Sequence, residues 1–229
     1  MQDLIKQEQF EIEVLDRLKS GRFLDKLVFT GGTMLRLCYG LNRYSVDLDF
    51  WIVKEIDMSK LYKDLIKYMT EFYTIKDSMN KFYTIVIEMR KPDFARSLKI
   101  EIRKEKRKVK TEQTIAYSQY SNTQVLLKAA ALEDMMKSKI EAFLSRKEIR
   151  DIFDVEFLFK KGIPLNSEPE VLEKIIKGID SLTKKDYSVK LGSLLSKEER
   201  EYYNKSNFRI IKNNISEIGT APKGTVPIS

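Results

Sequence analysis

At 229 residues the chain has room for one large domain or two small ones, and an apolar fraction of 42% is enough to build a packed core. It contains no histidine, which excludes Ser–His–Asp triads, Cys–His pairs and His-ligated zinc, and a single cysteine, Cys38, which excludes an internal disulfide. Lys and Arg number 42 against 34 Asp and Glu, so the net charge is +8; this suits polyanions such as nucleotides, RNA or DNA, or simply a lysine-rich surface.

In chain order, residues 4–19 place Phe10, Val14 and Leu18 on one helical face, widened by Leu4 and Leu15, and Gly21 is a stop signal. Met1 to Val14 has no signal-peptide core, and no apolar run reaches the ~18 residues needed to span a bilayer. A cytoplasmic protein with no membrane partner is expected. Residues 26–30 read as a short strand ending at Gly31-Gly32, and Thr33 to Tyr39 as a short helix stopped by Gly40. Cys38 falls in an apolar stretch and reads as core. Residues 46–52 alternate Val46, Leu48, Phe50 and Ile52 with Asp47, Asp49 and Trp51, the pattern of a strand with one buried face. A helix follows from about Ser59 to Tyr73. Residues 82–90 and 98–103 read as an antiparallel hairpin around the Lys91-Pro92-Asp93 turn. The charged run 103–110 is either solvated or an RNA-backbone contact strip. From about Thr123 to Gly162 the reading is helical. Ser167–Glu170 and Ser196–Glu199 are capping-box signals, and the tail with Pro222, Gly224 and Pro227 reads as irregular.

Asp47 and Asp49 carry the chemistry. Residues i and i+2 of a strand project to one side, so the two carboxylates stand together, and a hard divalent ion such as Mg²⁺ relieves their repulsion. The competing reading is a polar strand face. Gly31-Gly32 before a helix start lets backbone N–H groups approach a phosphate, and Thr33 can add a hydroxyl or cap the helix. Glu101, on the polar side of its strand, is the preferred third carboxylate and proton acceptor; Glu88 is its rival.

Residues 31–50, GGTMLRLCYGLNRYSVDLDF, resemble the signature of the AbiEii/AbiGii toxin family within the DNA polymerase β-like nucleotidyltransferases. The matching positions are Gly31, Gly32, Thr33, Tyr39, Gly40, Leu41, Arg43, Ser45, Asp47, Asp49 and Phe50. Residues 137–158 are similar to the family's downstream helical motif at Lys139, Ala142, Arg146, Arg150, Asp151 and Asp154. On an unbroken helix Lys139, Arg146 and Arg150 form one cationic stripe suited to triphosphate oxygens; the alternatives are local ion pairing and, for Asp151, orienting Lys139 or capping a neighbouring helix.

The resemblance implies an α+β protein: a mixed-sheet nucleotidyltransferase domain over 1–120, then a helical bundle over 121–229. It implies transfer of a nucleoside monophosphate from an NTP, with Mg²⁺, to an acceptor hydroxyl, the implied target being RNA and in particular tRNA, by a toxin of a toxin–antitoxin or phage-exclusion system with an antitoxin partner. Asp47, Asp49 and Glu101 are the expected metal ligands. Together with Lys139 they are the expected catalytic residues. Gly31, Gly32, Thr33, Arg43, Ser45, Arg146, Arg150 and Asp151 are the expected nucleotide-binding residues. A different acceptor, small molecule or protein, and a non-catalytic nucleotide- or RNA-binding module are the alternatives.

Overall fold

Helix α1, Gln2–Ser20, forms where the apolar spacing predicts it. Phe10, Val14, Leu15 and Leu18 are fully buried, and the Gly21 amide closes the last turn by donating to the Arg17 carbonyl. The structure, a computed structural model, describes residues 2–220, and the Pro222–Pro227 tail lies outside the described residues. The chain divides into two compact units, Met1–Met135 and Met136–Ser229.

The first unit is built on a mixed sheet with seven strands among the described residues, in the order β3-β4-β5-β2-β1-β7-β6. β1 (Val28–Thr30) lies antiparallel to β2 (Asp47–Ile52) and parallel to β7 (Gln124–Ala130). On its other side β2 runs parallel to β5 (Leu98–Lys106). β4 (Thr84–Arg90) pairs antiparallel with both β5 and β3 (Thr74–Asn80), and β6 (Thr111–Tyr117) pairs antiparallel with β7. Helix α2 (Gly31–Tyr39) follows β1 directly, and α3 (Met58–Thr70) is capped by the Asp57 side chain, which accepts from the Lys60 amide.

Strand alternation separates the two faces of this sheet. Leu48, Phe50, Ile85, Ile87, Ile100 and Ile102 are fully buried, whereas Asp47, Asp49, Lys99 and Glu101 are half-buried on the opposite face. The first half of the 103–110 run is the far end of β5, and residues 107–110 lead out of it.

Two readings of the sequence are corrected here. The stretch from Thr123 does not begin as helix, because residues 124–130 form β7 and bury Val125, Leu127 and Ala129. The helix of the second motif is also broken. α4 (Leu132–Arg146) ends at Lys147, whose φ of 52° lies in the left-handed region, and α5 (Ile149–Lys160) starts afresh. Arg150 therefore does not continue a stripe through Lys139 and Arg146.

The second unit is helical among the described residues. α6 (Pro169–Asp180), α7 (Lys197–Ser206) and α8 (Arg209–Thr220) follow α5, with a π-helical turn at Asp186–Leu191. Phe143, Phe153, Ile175, Leu191, Phe208 and Ile211 form its core. Ser196 caps α7 by accepting from the Glu199 amide at 3.3 Å, as its sequence signal implies. At α6 the N-cap is Glu168 with no side-chain bond, so the Ser167 signal marks the start through Pro169 instead.

Candidate nucleotidyltransferase site

The site is built where β1 turns into α2 against β2. Gly31 has φ +80°, a conformation that L side chains rarely adopt, and a Cβ there would stand 2.3 Å from Asp49 Oδ2. A Cβ on Gly32 would stand 2.5 Å from a terminal guanidinium nitrogen of Arg43 and 2.9 Å from Ser45 Oγ. The glycine bend thus lies directly on Asp49, Arg43 and Ser45. Thr33 is buried, and its hydroxyl donates to the Asp47 carbonyl at 2.6 Å, which ties α2 to the first residue of β2. It does not cap α2, whose N-cap is Thr30.

The register of β2 and β5 supplies the neighbours. Asp49 pairs with Glu101, and Asp47 pairs with Lys99. Glu88 is one strand further out, opposite Lys99, and is bonded by the Ser97 hydroxyl and by Lys76. Lys99 Nζ lies 3.5 Å from Asp47 Oδ2 and 4.0 Å from Glu101 Oε2, so an ammonium bridges the acidic face. Among the described residues no trio of acidic or cysteine side chains converges closely enough to enclose a metal ion unaided. The donors nonetheless suit Mg²⁺, which is commonly held by one or two carboxylates and completed by substrate phosphates and water. The missing Cβ of Gly31 is what lets the Asp49 carboxylate pack directly against the bend.

In the second unit the downstream motif forms a buried charge cluster. Lys139 Nζ is 2.7 Å from Asp154 Oδ2 and 3.5 Å from Asp151 Oδ1. Arg146 donates to both Asp151 oxygens, at 2.7 and 2.8 Å. Asp151 and Asp154 are almost wholly buried, and Arg150 is exposed. Asp151 thus joins Lys139 and Arg146 across the break between α4 and α5.

The profile of a family described as nucleotidyl transferase AbiEii toxin, type IV TA (toxin–antitoxin) system, matches residues 13–207. The chain belongs to the AbiEii nucleotidyl transferase toxin family. As a member of it, the protein is a nucleotidyltransferase with a nucleotide substrate and an antitoxin partner. No curated protein matches it significantly. Among solved structures, JHP933 from Helicobacter pylori is similar over 92% of this chain and 94% of its own, with 21% identity and a TM-score of 0.55. MenT4, a nucleotidyltransferase toxin from Mycobacterium tuberculosis, is similar over 94% of this chain and 90% of its own, with 14% identity and a TM-score of 0.50. At these identities the two likenesses speak to the fold alone. No described helix of this AbiEii-family chain is long and apolar enough to cross a membrane.

Three features of the AbiEii-family site were not visible as motifs. Lys99 shares the polar face of β5 with Glu101, two residues away, and only strand pairing brings it to Asp47. Arg36 of α2 forms an ion pair with the buried Glu8 of α1, donates to the Leu41 carbonyl at 3.1 Å and stacks over the Tyr44 ring at 3.8 Å, so it fastens the glycine-bend helix to α1. Glu11, one helical turn from Glu8, is fully buried with neither carboxyl oxygen hydrogen-bonded among the described residues. Cys38 is half-buried rather than part of the core, and burial pushes its thiol up to about 12.

Burial pushes the Glu11 carboxyl well above the usual carboxylate range; Glu8 adds to the rise, Arg36 opposes it and Asp47 adds a little more. The folded state therefore holds this proton more tightly than the unfolded chain. The contribution of Glu11 to stability is fully present below the ordinary carboxylate range and falls as pH climbs from there toward the raised value, by about 1.4 kcal/mol per pH unit within that window. Glu11→Gln removes the titration. Thermal melts should show the variant gaining on the parent as pH rises above the ordinary carboxylate range, by roughly 2–4 °C for each kcal/mol. Parallel melting curves for the two proteins across that range would refute this account of Glu11.

Proposed function

We propose that this chain transfers a nucleoside monophosphate from an NTP to a terminal hydroxyl of RNA, tRNA included, and that Mg²⁺ is required. Asp47 and Asp49 would hold the ion, with Glu101 beside them. Mg²⁺ there supplies neutralisation of the triphosphate charge during displacement. Gly31 and Gly32 offer backbone N–H groups to the phosphates, Arg43 and Ser45 line the same bend, and Thr33 keeps Asp47 in place. Glu101 takes the proton of the acceptor hydroxyl as its oxygen bonds to the α-phosphorus. The bond from that phosphorus to the β-phosphate bridging oxygen breaks, and pyrophosphate leaves. Lys139, oriented by Asp151 and Asp154, and Arg146 and Arg150 are proposed to balance charge on the triphosphate.

The observation that carries this reading is the contact between Gly31 and Asp49, which makes the phosphate bend and the Asp-x-Asp strand one site rather than two separate motifs. The +8 charge is compatible with an RNA acceptor. The test is incubation of the protein with each α-labelled NTP, Mg²⁺ and total cellular RNA, with a chelated control. Label in RNA that disappears on chelation is expected. Label in protein or small molecules alone would move the acceptor elsewhere, and binding without transfer would end the enzymatic reading.

A further inference from the structure

On the β4–β5 side of Asp47 lies an open cleft of about 460 Å³, lined by Asp47, Lys76, Arg90, Arg96 and Ser97. Its cations come from separate elements: Lys76 from β3, Arg90 from the last residue of β4, and Arg96 from the loop leading into β5. That loop is anchored on α1. Phe94 stacks on Phe10 with ring centres 4.6 Å apart and planes within 6°, and Lys91 Nζ bonds both oxygens of Glu13 at 2.9 Å. Arg96 is thus presented by a fixed backbone, which lowers the ordering cost of binding.

The charges in the cleft are not balanced internally. Lys76 lies 3.3 Å from Glu88, and Lys99 faces Asp47. The Ser97 hydroxyl, then Lys76, hold the Glu88 carboxyl below its ordinary range, so Lys76 is matched by an anion. Arg90 and Arg96 are exposed, and their side chains have no hydrogen bond or ion pair among the described residues. Two guanidiniums with no carboxylate partner suit a phosphate, whose oxygens match their planar donors.

The position of the cleft decides which phosphate. β1 and β5 flank β2 on opposite sides, so the glycine bend and the cleft lie on opposite sides of Asp47. In-line displacement brings the entering oxygen and the departing pyrophosphate to opposite sides of the α-phosphorus. With the triphosphate at the bend, the cleft faces the entering partner, on the same side as Glu101 of β5. We infer that this cleft binds a phosphodiester of an RNA acceptor, the one nearest the attacking 3′-hydroxyl, through Arg90 and Arg96. A protein hydroxyl would bring no such anion and would leave both guanidiniums unmatched. The inference rests on the transferase reading of Asp47, Asp49 and the glycine bend.

The test compares the parent chain with Arg90→Ala, Arg96→Ala and the double variant, using labelled NTP and a single-stranded RNA oligonucleotide of mixed sequence. The KM for RNA should rise on the order of 10-fold per arginine, while the KM for NTP stays within about two-fold. The log–log salt slope of RNA binding should fall by about one for each arginine removed. An unchanged RNA KM and salt slope in the double variant, with the parent still labelling RNA, would overturn the cleft assignment alone. A rise in the NTP KM instead would give the cleft to the nucleotide and overturn it equally. A parent chain that labels protein or nothing would remove the RNA-transfer reading and the cleft with it.

Discussion

Asp49→Asn should lower NMP transfer by on the order of 10³-fold, or about 4 kcal/mol of transition-state stabilisation, while the protein melts as its parent does. Asparagine keeps the shape of the side chain on β2 and removes its charge. On the proposed reading charge is what the site requires, because the triphosphate arrives highly anionic and a divalent ion needs a hard anionic ligand. Asp49 is half-buried rather than part of the core, and Leu48 and Phe50 on either side of it anchor β2 from the opposite face. The apolar face therefore holds β2 in the sheet, and the variant should stay folded. The decisive measurement is labelled-NTP turnover with saturating Mg²⁺ alongside a thermal melt. Turnover near the parent's rate in a folded variant would remove Asp49 from the chemistry.

Lys139→Met should destabilise the second unit by about 3–5 kcal/mol, because it leaves the Asp154 carboxylate buried without its ammonium. Asp151 suffers less, since Arg146 still grips both its oxygens. Lys139→Met with Asp154→Leu replaces the pair by apolar groups and should recover most of that stability. The double variant also separates two roles for Lys139. If the lysine balances triphosphate charge, the restabilised protein remains impaired in transfer, with a raised KM for NTP. Full activity in the stable double variant would make Lys139 purely structural. Denaturant unfolding and NTP kinetics on the three proteins give both answers.

Much of the candidate site is legible in local patterns. Asp47 and Asp49 show through strand alternation, and Gly31-Gly32 marks the bend by its backbone needs. Alternation puts both Glu101 and Glu88 on polar strand sides and only the nearness of Glu88 to the turn prefers Glu101, whereas the pairing of Glu101 with Asp49 is a fact of sheet order that no local pattern contains. The strands that escaped detection are those whose stability comes from partners. β3, TIKDSMN, is a polar edge strand with no buried face to betray it. β7, QVLLKAA, holds good helix formers, and its exposed Leu126 blurs the alternation of Val125, Leu127 and Ala129. The break at Lys147 lacks the glycine or proline that would have announced it. Arg90 and Arg96 belong to no motif, since a strand end and a loop bring them to Asp47.

The three-residue β1 has a consequence for the order of assembly. It lies between β2 and β7 in the sheet, and its partner Ala129 is about a hundred residues downstream of Phe29. Local hairpins such as β3–β4–β5 can close early, but β1 gains its second neighbour only when the chain has returned through β7, a long and slow closure. The glycine bend hangs from the end of β1. During synthesis, therefore, the nascent polypeptide should carry its acidic strand well before the bend is in place, and the proposed transfer activity would switch on late, after most of the sheet has left the ribosome.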